Sequence, residues 1–161
     1  MKDYCKKLIN YCSKKNMNIS LAESCTGGMI ASKLISVSGA SQVIDLGLIT
    51  YSNKSKNLLL NIDLKYIEKH GAVSDKVAEL MVKGLSKISK SDICLSVTGI
   101  AGPKGGTVKK PVGLVYHGFY FKKQNKTLTI KKQYYGTRTK IRREASQFSV
   151  YFVSTYLNLS I

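Results

Sequence analysis

Residues 21–28, LAESCTGG, sit between apolar runs, NISLA ahead and MIASKLI behind. An apolar run of strand length, a knot of small polar residues ending in Gly-Gly and then apolar residues at helical spacing predict a strand feeding a helix. Ser24, Cys25 and Thr26 fall at that junction. A hydroxyl or thiol held there lies beside the unpaired N–H groups of a helix start, where a developing oxyanion or a phosphate is stabilised.

The same order recurs along the chain and sets the fold class. Helical spacing of Tyr4, Leu8, Ile9, Tyr11 and Cys12 predicts a first helix over 3–15, a strand follows over NISLAES, and the second helix is expected at about 26–36. SQVIDLGLITYS reads as a buried strand, after which a helix begins at Asn53, a good capping residue; Tyr51 then lies at a strand end and Lys56 one turn into a helix. Val77, Leu80, Met81, Leu85 and Ile88 mark an amphipathic helix capped by Ser74. DICLSVTGIAGP reads as a strand and a glycine loop. VGLVYHGFYF and KTLTIKKQYYG form a hairpin across KKQN, and a last helix from about Thr137 carries Ile141, Ala145, Phe148, Phe152 and Tyr156 on one stripe. Early strands alternating with helices, then an antiparallel pair, predict a single three-layer α/β/α domain over 1–161 on a mixed, mostly parallel sheet.

The 161 residues suffice for one domain with its own core, and no stretch approaches the roughly 18 apolar residues of a membrane span. The Lys-rich start lacks a leader's continuous apolar segment, so a cytoplasmic protein without a membrane partner is expected. Cys5, Cys12, Cys25 and Cys94 have neither zinc-site spacing nor the density of a disulfide scaffold. Reduced thiols and no bound metal follow. The formal charge of +17, with nine Lys or Arg and no acid over 122–143, is the best argument for a nucleic-acid partner. A Lys-rich solvated surface accounts for it as well, and no nucleic-acid-binding motif accompanies the charge.

Four segments rich in glycine or hydroxyls, AESCTGG, TYSNKSK, HGAVS and TGIAGPKGGT, stand at predicted element ends, where α/β sheets build sites. TGIAGPKGGT matches neither G-x-x-x-x-G-K-S/T nor G-x-G-x-x-G, which argues against a nucleoside triphosphatase. Neither H-E-x-x-H nor G-x-S-x-G occurs. The two histidines are His70 and His117, and His117, inside a predicted strand, reads as a packed or surface residue. A serine without a histidine can be activated by a lysine whose pKa burial has lowered. Lys56, just past a strand and near Tyr51, is the natural candidate.

At these residues the chain resembles the C-terminal domain of the CinA family, the nicotinamide-nucleotide amidases: AESCTGG, TYSN with Lys56, HGAVS, TGIAGP, GGT and KPVG stand in the family's order. The resemblance implies deamidation of nicotinamide mononucleotide to nicotinate mononucleotide and ammonia, a step in pyridine-nucleotide recycling, without a cofactor. It also implies a homodimer, and a standalone amidase where larger members carry a further N-terminal domain. By the family's pattern Ser24 is the nucleophile and Tyr51 and Lys56 complete a Ser-Tyr-Lys constellation, with Lys56, directly or through Tyr51, taking the Ser24 proton. Thr26, Gly27, Gly28, Thr98, Gly99, Gly105 and Gly106 are the expected substrate-binding positions, together with Arg142, preferred over Arg138 and Arg143 for the phosphate. Cys25 is the rival nucleophile. Leu46 departs from the pattern, standing where a basic residue is usual, which touches a salt bridge or subunit contact rather than the catalytic assignment. Two other readings stay open: a different amide in the same pocket, and a basic nucleic-acid-binding module that keeps the fold without activity.

Overall fold

A computed structural model describes residues 2–159. In chain order the elements are α1 (Lys2–Lys14), β1 (Ile19–Glu23), α2 (Met29–Ile35), β2 (Ile44–Ile49), α3 (Asn53–Leu60), α4 (Leu64–His70), α5 (Asp75–Ser89), β3 (Ile93–Gly99), β4 (Leu114–Phe121), β5 (Lys126–Gln133) and α6 (Arg138–Tyr156). The strands form one sheet in the order β2-β1-β3-β4-β5. β1 pairs in parallel with both β2 and β3, whereas β3–β4 and β4–β5 are antiparallel, so β4 alone runs against the rest. The mixed three-layer α/β/α domain expected from the sequence is the one observed.

Each face of the sheet has its own core, as the period of two along the strands demands. Leu21, Leu95, Val97, Val115, Phe119 and Phe121 meet α1, α2 and α6 on one face; Ala22 and Cys94 meet α3, α4 and α5 on the other. The aromatic stripe of α6 lies on the first face, with Phe152 against Phe119 at 4.3 Å and Tyr156 stacked on Phe121 at 4.0 Å between ring centroids. From β1 the chain crosses through α2 to β2 on one side, and from β3 it continues to β4 on the other. The connections thus diverge between β1 and β3, opening the crevice where α/β sheets hold ligands.

Three local expectations are corrected. β2 is an edge strand with its residues alternately half-buried and exposed, not a buried one. α2 begins at Met29 rather than 26, because Gly27 (φ 59°) and Gly28 (φ 91°) hold the preceding turn in the left-handed region. The cap of α3 is Ser52, not Asn53: Ser52 Oγ accepts from Ser55 N–H and Ser55 Oγ accepts from Ser52 N–H, each at 3.0 Å. α4 was not anticipated; of its seven residues only Ile67 is fully buried, too little to show a period.

Gly118 marks the closest approach of α5 to the sheet. A Cβ there would overlap Ser96 Oγ and stand 2.6 Å from the Ala78 carbonyl oxygen, which already accepts from Ser96 Oγ at 2.7 Å. Gly118→Ala is therefore expected to destabilise the fold by about 1–3 kcal/mol through overpacking, read as a lower urea midpoint at unchanged slope.

Candidate active site

The four segments singled out in the sequence converge at the C-terminal ends of β1 and β3. They line a cleft of about 290 Å³ walled by Ser24, Cys25, Tyr51, Lys56, Ala72, Val73, Thr98, the 99–102 backbone, Lys104, Gly105 and Arg138. That is close to the lower end of the roughly 300–1,000 Å³ of small-molecule sites. Its charged lining groups, Lys56, Lys104 and Arg138, are all basic, and Lys104 and Arg138 are exposed at the rim.

Lys56 enters from α3, its side chain 1% exposed. Its Nζ lies 3.2 Å from Ser24 Oγ, 2.8 Å from the Thr50 carbonyl oxygen and 3.4 Å from that of Tyr51. Burial disfavours the ammonium and pushes the pKa down to about 8. A neutral amine has two N–H donors and one lone pair. As an ammonium Lys56 donates to Ser24 Oγ and to both carbonyls; once it loses a proton, the two carbonyls take the remaining donors and the lone pair is left for the Ser24 hydroxyl proton. Tyr51 contributes its carbonyl and a wall, while its phenol is largely exposed and meets Arg138 Nη2 at 3.4 Å.

Ser24 is fixed by its own backbone, its N–H donating to the Val97 carbonyl at 2.9 Å. Glu23, fully buried and without a mark in the sequence pattern, reaches the start of α2, where its carboxylate accepts from the N–H groups of Gly28 (3.0 Å), Ile30 (3.2 Å) and Ala31 (2.8 Å). Gly27 N–H is taken by the Ser24 carbonyl at 3.1 Å. Gly27 and Gly28 thus shape the turn and offer no free donor to a ligand. Of the turn's N–H groups, those of Cys25 and Thr26 are left without a carbonyl or carboxylate acceptor among the described residues. Of the two residues only Cys25 lines the cleft, directly after the nucleophile candidate, which is the position of an oxyanion donor.

Arg138 and Arg142 lie one turn apart on α6 and do different things. Arg138 Nη1 donates to the Gly102 carbonyl at 2.8 Å and lines the cleft. Arg142, preferred from the sequence for phosphate, is directed at backbone: its Nε donates to the Cys25 carbonyl at 3.0 Å and its Nη2 to the Thr26 carbonyl at 2.8 Å. Neither it nor Thr26 lines the cleft. Thr98 and Gly99 do, and Thr98 Oγ1 fastens the HGAVS turn by donating to the Ala72 carbonyl at 2.8 Å. Gly105 lines the cleft, whereas Gly106 is packed against Val112, where a Cβ would stand 2.7 Å from the Val112 nitrogen. Lys104 was not singled out from the sequence; it lies in the named TGIAGPKGGT loop.

The rival groups are silenced by burial. The Cys25 thiol is 5% exposed and its pKa is pushed up to about 12. His117 is fully buried between Ser149 Oγ (2.9 Å) and Tyr134 Oη (3.1 Å), and burial pushes its pKa down to about 3, so it stays neutral and packed. A larger cavity of about 700 Å³ lies between α1 and the end of α2; its lining includes Cys5, whose pKa burial raises, with Ser32, Ser36, Ser38, Lys6 and Lys33. Much of the basic run at 122–143 is engaged within the domain: Lys122 bonds the Lys90 carbonyl, Lys126 and Lys132 lie over the Tyr156 and Phe148 rings, and Arg138 and Arg142 bond loop carbonyls.

The class that the fold and cleft define is a three-layer α/β/α domain with Ser24 and Lys56 side by side in the crevice of its mixed sheet. Residues 1–157 match the model of the CinA C-terminal domain, and the chain belongs to that family. It is 47% identical over 146 residues to a CinA-like protein of Kosmotoga olearia, covering 91% of this chain and 35% of that protein. A CinA-like protein of Fusobacterium nucleatum is 48% identical over 138 residues, covering 86% and 33%. The chain thus spans about a third of the length of the curated relatives it matches. The crystal structure of a competence/damage inducible protein from Agrobacterium tumefaciens superposes with a TM-score of 0.92 at 33% identity, over 96% of this chain and 93% of that one.

Cys25 provides an activity-independent check. At pH 7.5 the native protein is expected to leave Cys25 unmodified by iodoacetamide and to become labelled there once unfolded in urea, read by peptide mass spectrometry. Native labelling at the rate of a free thiol would contradict the burial described above.

Proposed function

We propose that this domain is an amidase of the serine–lysine type acting on a small phosphorylated carboxamide, nicotinamide mononucleotide being the substrate that the family resemblance implies. The observation that carries the proposal is the buried Lys56 side chain, its Nζ 3.2 Å from Ser24 Oγ and held there by the Thr50 and Tyr51 carbonyls. The apolar stretch Ala72–Val73 and Ile100–Ala101 suits a flat ring, and Lys104 and Arg138 at the rim suit a phosphate.

The reaction is then two acyl transfers. Lys56 takes the Ser24 hydroxyl proton as Oγ attacks the carboxamide carbon, and the N–H group of Cys25, whose residue lines the cleft, receives the developing oxyanion. The lysine ammonium gives that proton to the leaving nitrogen, so ammonia departs and an ester to Ser24 remains. Lys56, neutral again, takes a proton from water as it attacks the ester. Returning the proton to Ser24 Oγ frees the carboxylic acid and restores the site.

Ammonia release from nicotinamide mononucleotide, measured with a chelator present, tests this. Wild type is expected to turn over, and Ser24→Ala and Lys56→Ala to lose roughly 10³-fold or more, as groups acting together do. No release by wild type would remove the proposed substrate. Because Lys56 must be neutral to accept a proton and its folded pKa is about 8, kcat/KM is expected to fall about tenfold per pH unit below about 8 and to level off above it. A profile flat from pH 6 to 9 would exclude Lys56 as the base.

A further inference from the structure

The sequence offered Arg142 as a phosphate ligand; the geometry points to a different task. We propose that Arg142 is a positioning residue that holds Ser24 and Cys25 in line at the cleft by gripping the carbonyl side of the turn after Ser24, against Glu23 on its N–H side. The proposal rests on the Ser24 acyl-transfer reading above.

Five residues, Ser24 to Gly28, make the turn, and side chains hold its backbone from both sides. On the N–H side, Glu23 takes Gly28, with Ile30 and Ala31 beyond it. On the carbonyl side, one guanidinium spans two successive oxygens, Cys25 through Nε at 3.0 Å and Thr26 through Nη2 at 2.8 Å. A planar fork with fixed donor directions suits this in a way that an ammonium does not. Gly27 shows how close the grip is: its φ is 59°, and a Cβ on it would stand 3.2 Å from Arg142 Nη2.

The consequence follows from peptide planarity. The Cys25 carbonyl is held by Arg142 on α6, which sets the plane of the Cys25–Thr26 peptide and with it the position of Cys25, the residue that lines the cleft beside Ser24. A peptide free to rock would carry Cys25 and Ser24 with it, and a misplacement of about 1 Å at a reacting centre can cost about 10²-fold in rate. The guanidinium does this without lining the cleft, one turn of α6 below Arg138, which does line it.

Arg142→Lys and Arg142→Met, assayed beside wild type, separate this task from phosphate binding. Turnover is measured with nicotinamide mononucleotide and with its dephosphorylated nucleoside, and Ser24 phosphonylation by a small fluorophosphonate is followed by intact-mass spectrometry; thermal melts confirm folding. Both variants are expected to fold and to lose about 10²-fold in kcat, with KM within about threefold of wild type. The preference for the nucleotide over the nucleoside is expected to stay unchanged and phosphonylation to slow in parallel. A raised KM with kcat retained, or a lost preference for the phosphorylated substrate, would make Arg142 a phosphate ligand and overturn the proposal. Wild-type kcat and labelling in Arg142→Met would also overturn it. If Arg142→Met does not fold, Arg142→Lys, which keeps the charge without the fork, carries the test by the same criteria. Should wild type be labelled on Ser24 yet leave the mononucleotide untouched, the substrate assignment fails by itself, and the labelling rates still decide the role of Arg142.

Discussion

One buried amine organises this molecule. A lysine side chain can be as fully enclosed as Lys56 only if the ammonium finds strong compensation or the group gives up its charge, because an unpaired buried cation is far too costly for a domain of ordinary stability. No carboxylate bonds to Lys56 among the described residues; its neighbours are two carbonyls and a hydroxyl, uncharged acceptors that offset burial only in part, and the pKa falls to about 8. The surrounding elements are arranged to deliver it. The β2 chain ends at Ile49 and turns so that the Thr50 and Tyr51 carbonyls face inward, and the reciprocal Ser52–Ser55 cap starts α3 at a fixed rotation, which sets where the residue at 56 points. Lys56 and Leu60, one turn apart, are the buried positions of that helix. The stem of the catalytic candidate is thus also part of the packing that holds α3 to the domain.

The turn on the opposite wall answers a different problem. A nucleophile at a strand-to-helix junction sits beside N–H groups that attract any anion, including a substrate phosphate bound the wrong way round. Glu23 fills the start of α2 from inside, leaving the donors beside Ser24 unengaged and the basic rim, with Lys104 and Arg138, as the place for external negative charge. An acid and a base on either side of five residues also explain why two consecutive glycines end the motif. The chain must reverse tightly enough for both side chains to reach its backbone, and at Gly27 the guanidinium leaves little room for a side chain.

Much of this is legible in the order of the amino acids, and the exceptions have a common cause. Strand-helix alternation, the hairpin, the aromatic stripe of α6 and the Ser24–Lys56 pairing depend on short-range pattern and on residue types that only certain chemistry requires, and these a sequence displays. What failed to show was depth. Arg138 and Arg142 share one face of α6, and periodicity places both toward the cleft; which reaches the rim and which reaches the backbone depends on a distance of one helical turn from the loop at Gly102. β2 has the composition of a buried strand, and its position at the sheet edge is decided by the order in which strands pair, a long-range choice. Glu23 gave no signal because an acid ending an apolar run reads as the strand's exit to solvent, whereas its carboxylate turns back to meet three N–H groups of the next helix.

The pairing of Ser24 with Cys25 poses the sharpest question, since a thiolate is the stronger nucleophile and the two side chains are neighbours. Burial answers it, because the same low-dielectric surroundings act in opposite senses on acids and bases. They lower Lys56 to about 8 and raise Cys25 to about 12, so a thiolate–ammonium pair, the state that a cysteine mechanism needs, is the arrangement that the site disfavours most. Above a pH of about 8 a hydroxyl beside a neutral amine carries no charge at rest and needs none until a carbonyl is attacked. In the proposed reaction charge then appears on the carbonyl oxygen and on Lys56, where the Cys25 N–H and the Thr50 and Tyr51 carbonyls receive it. Enclosure, which makes cysteine inert here, is what makes serine with lysine workable.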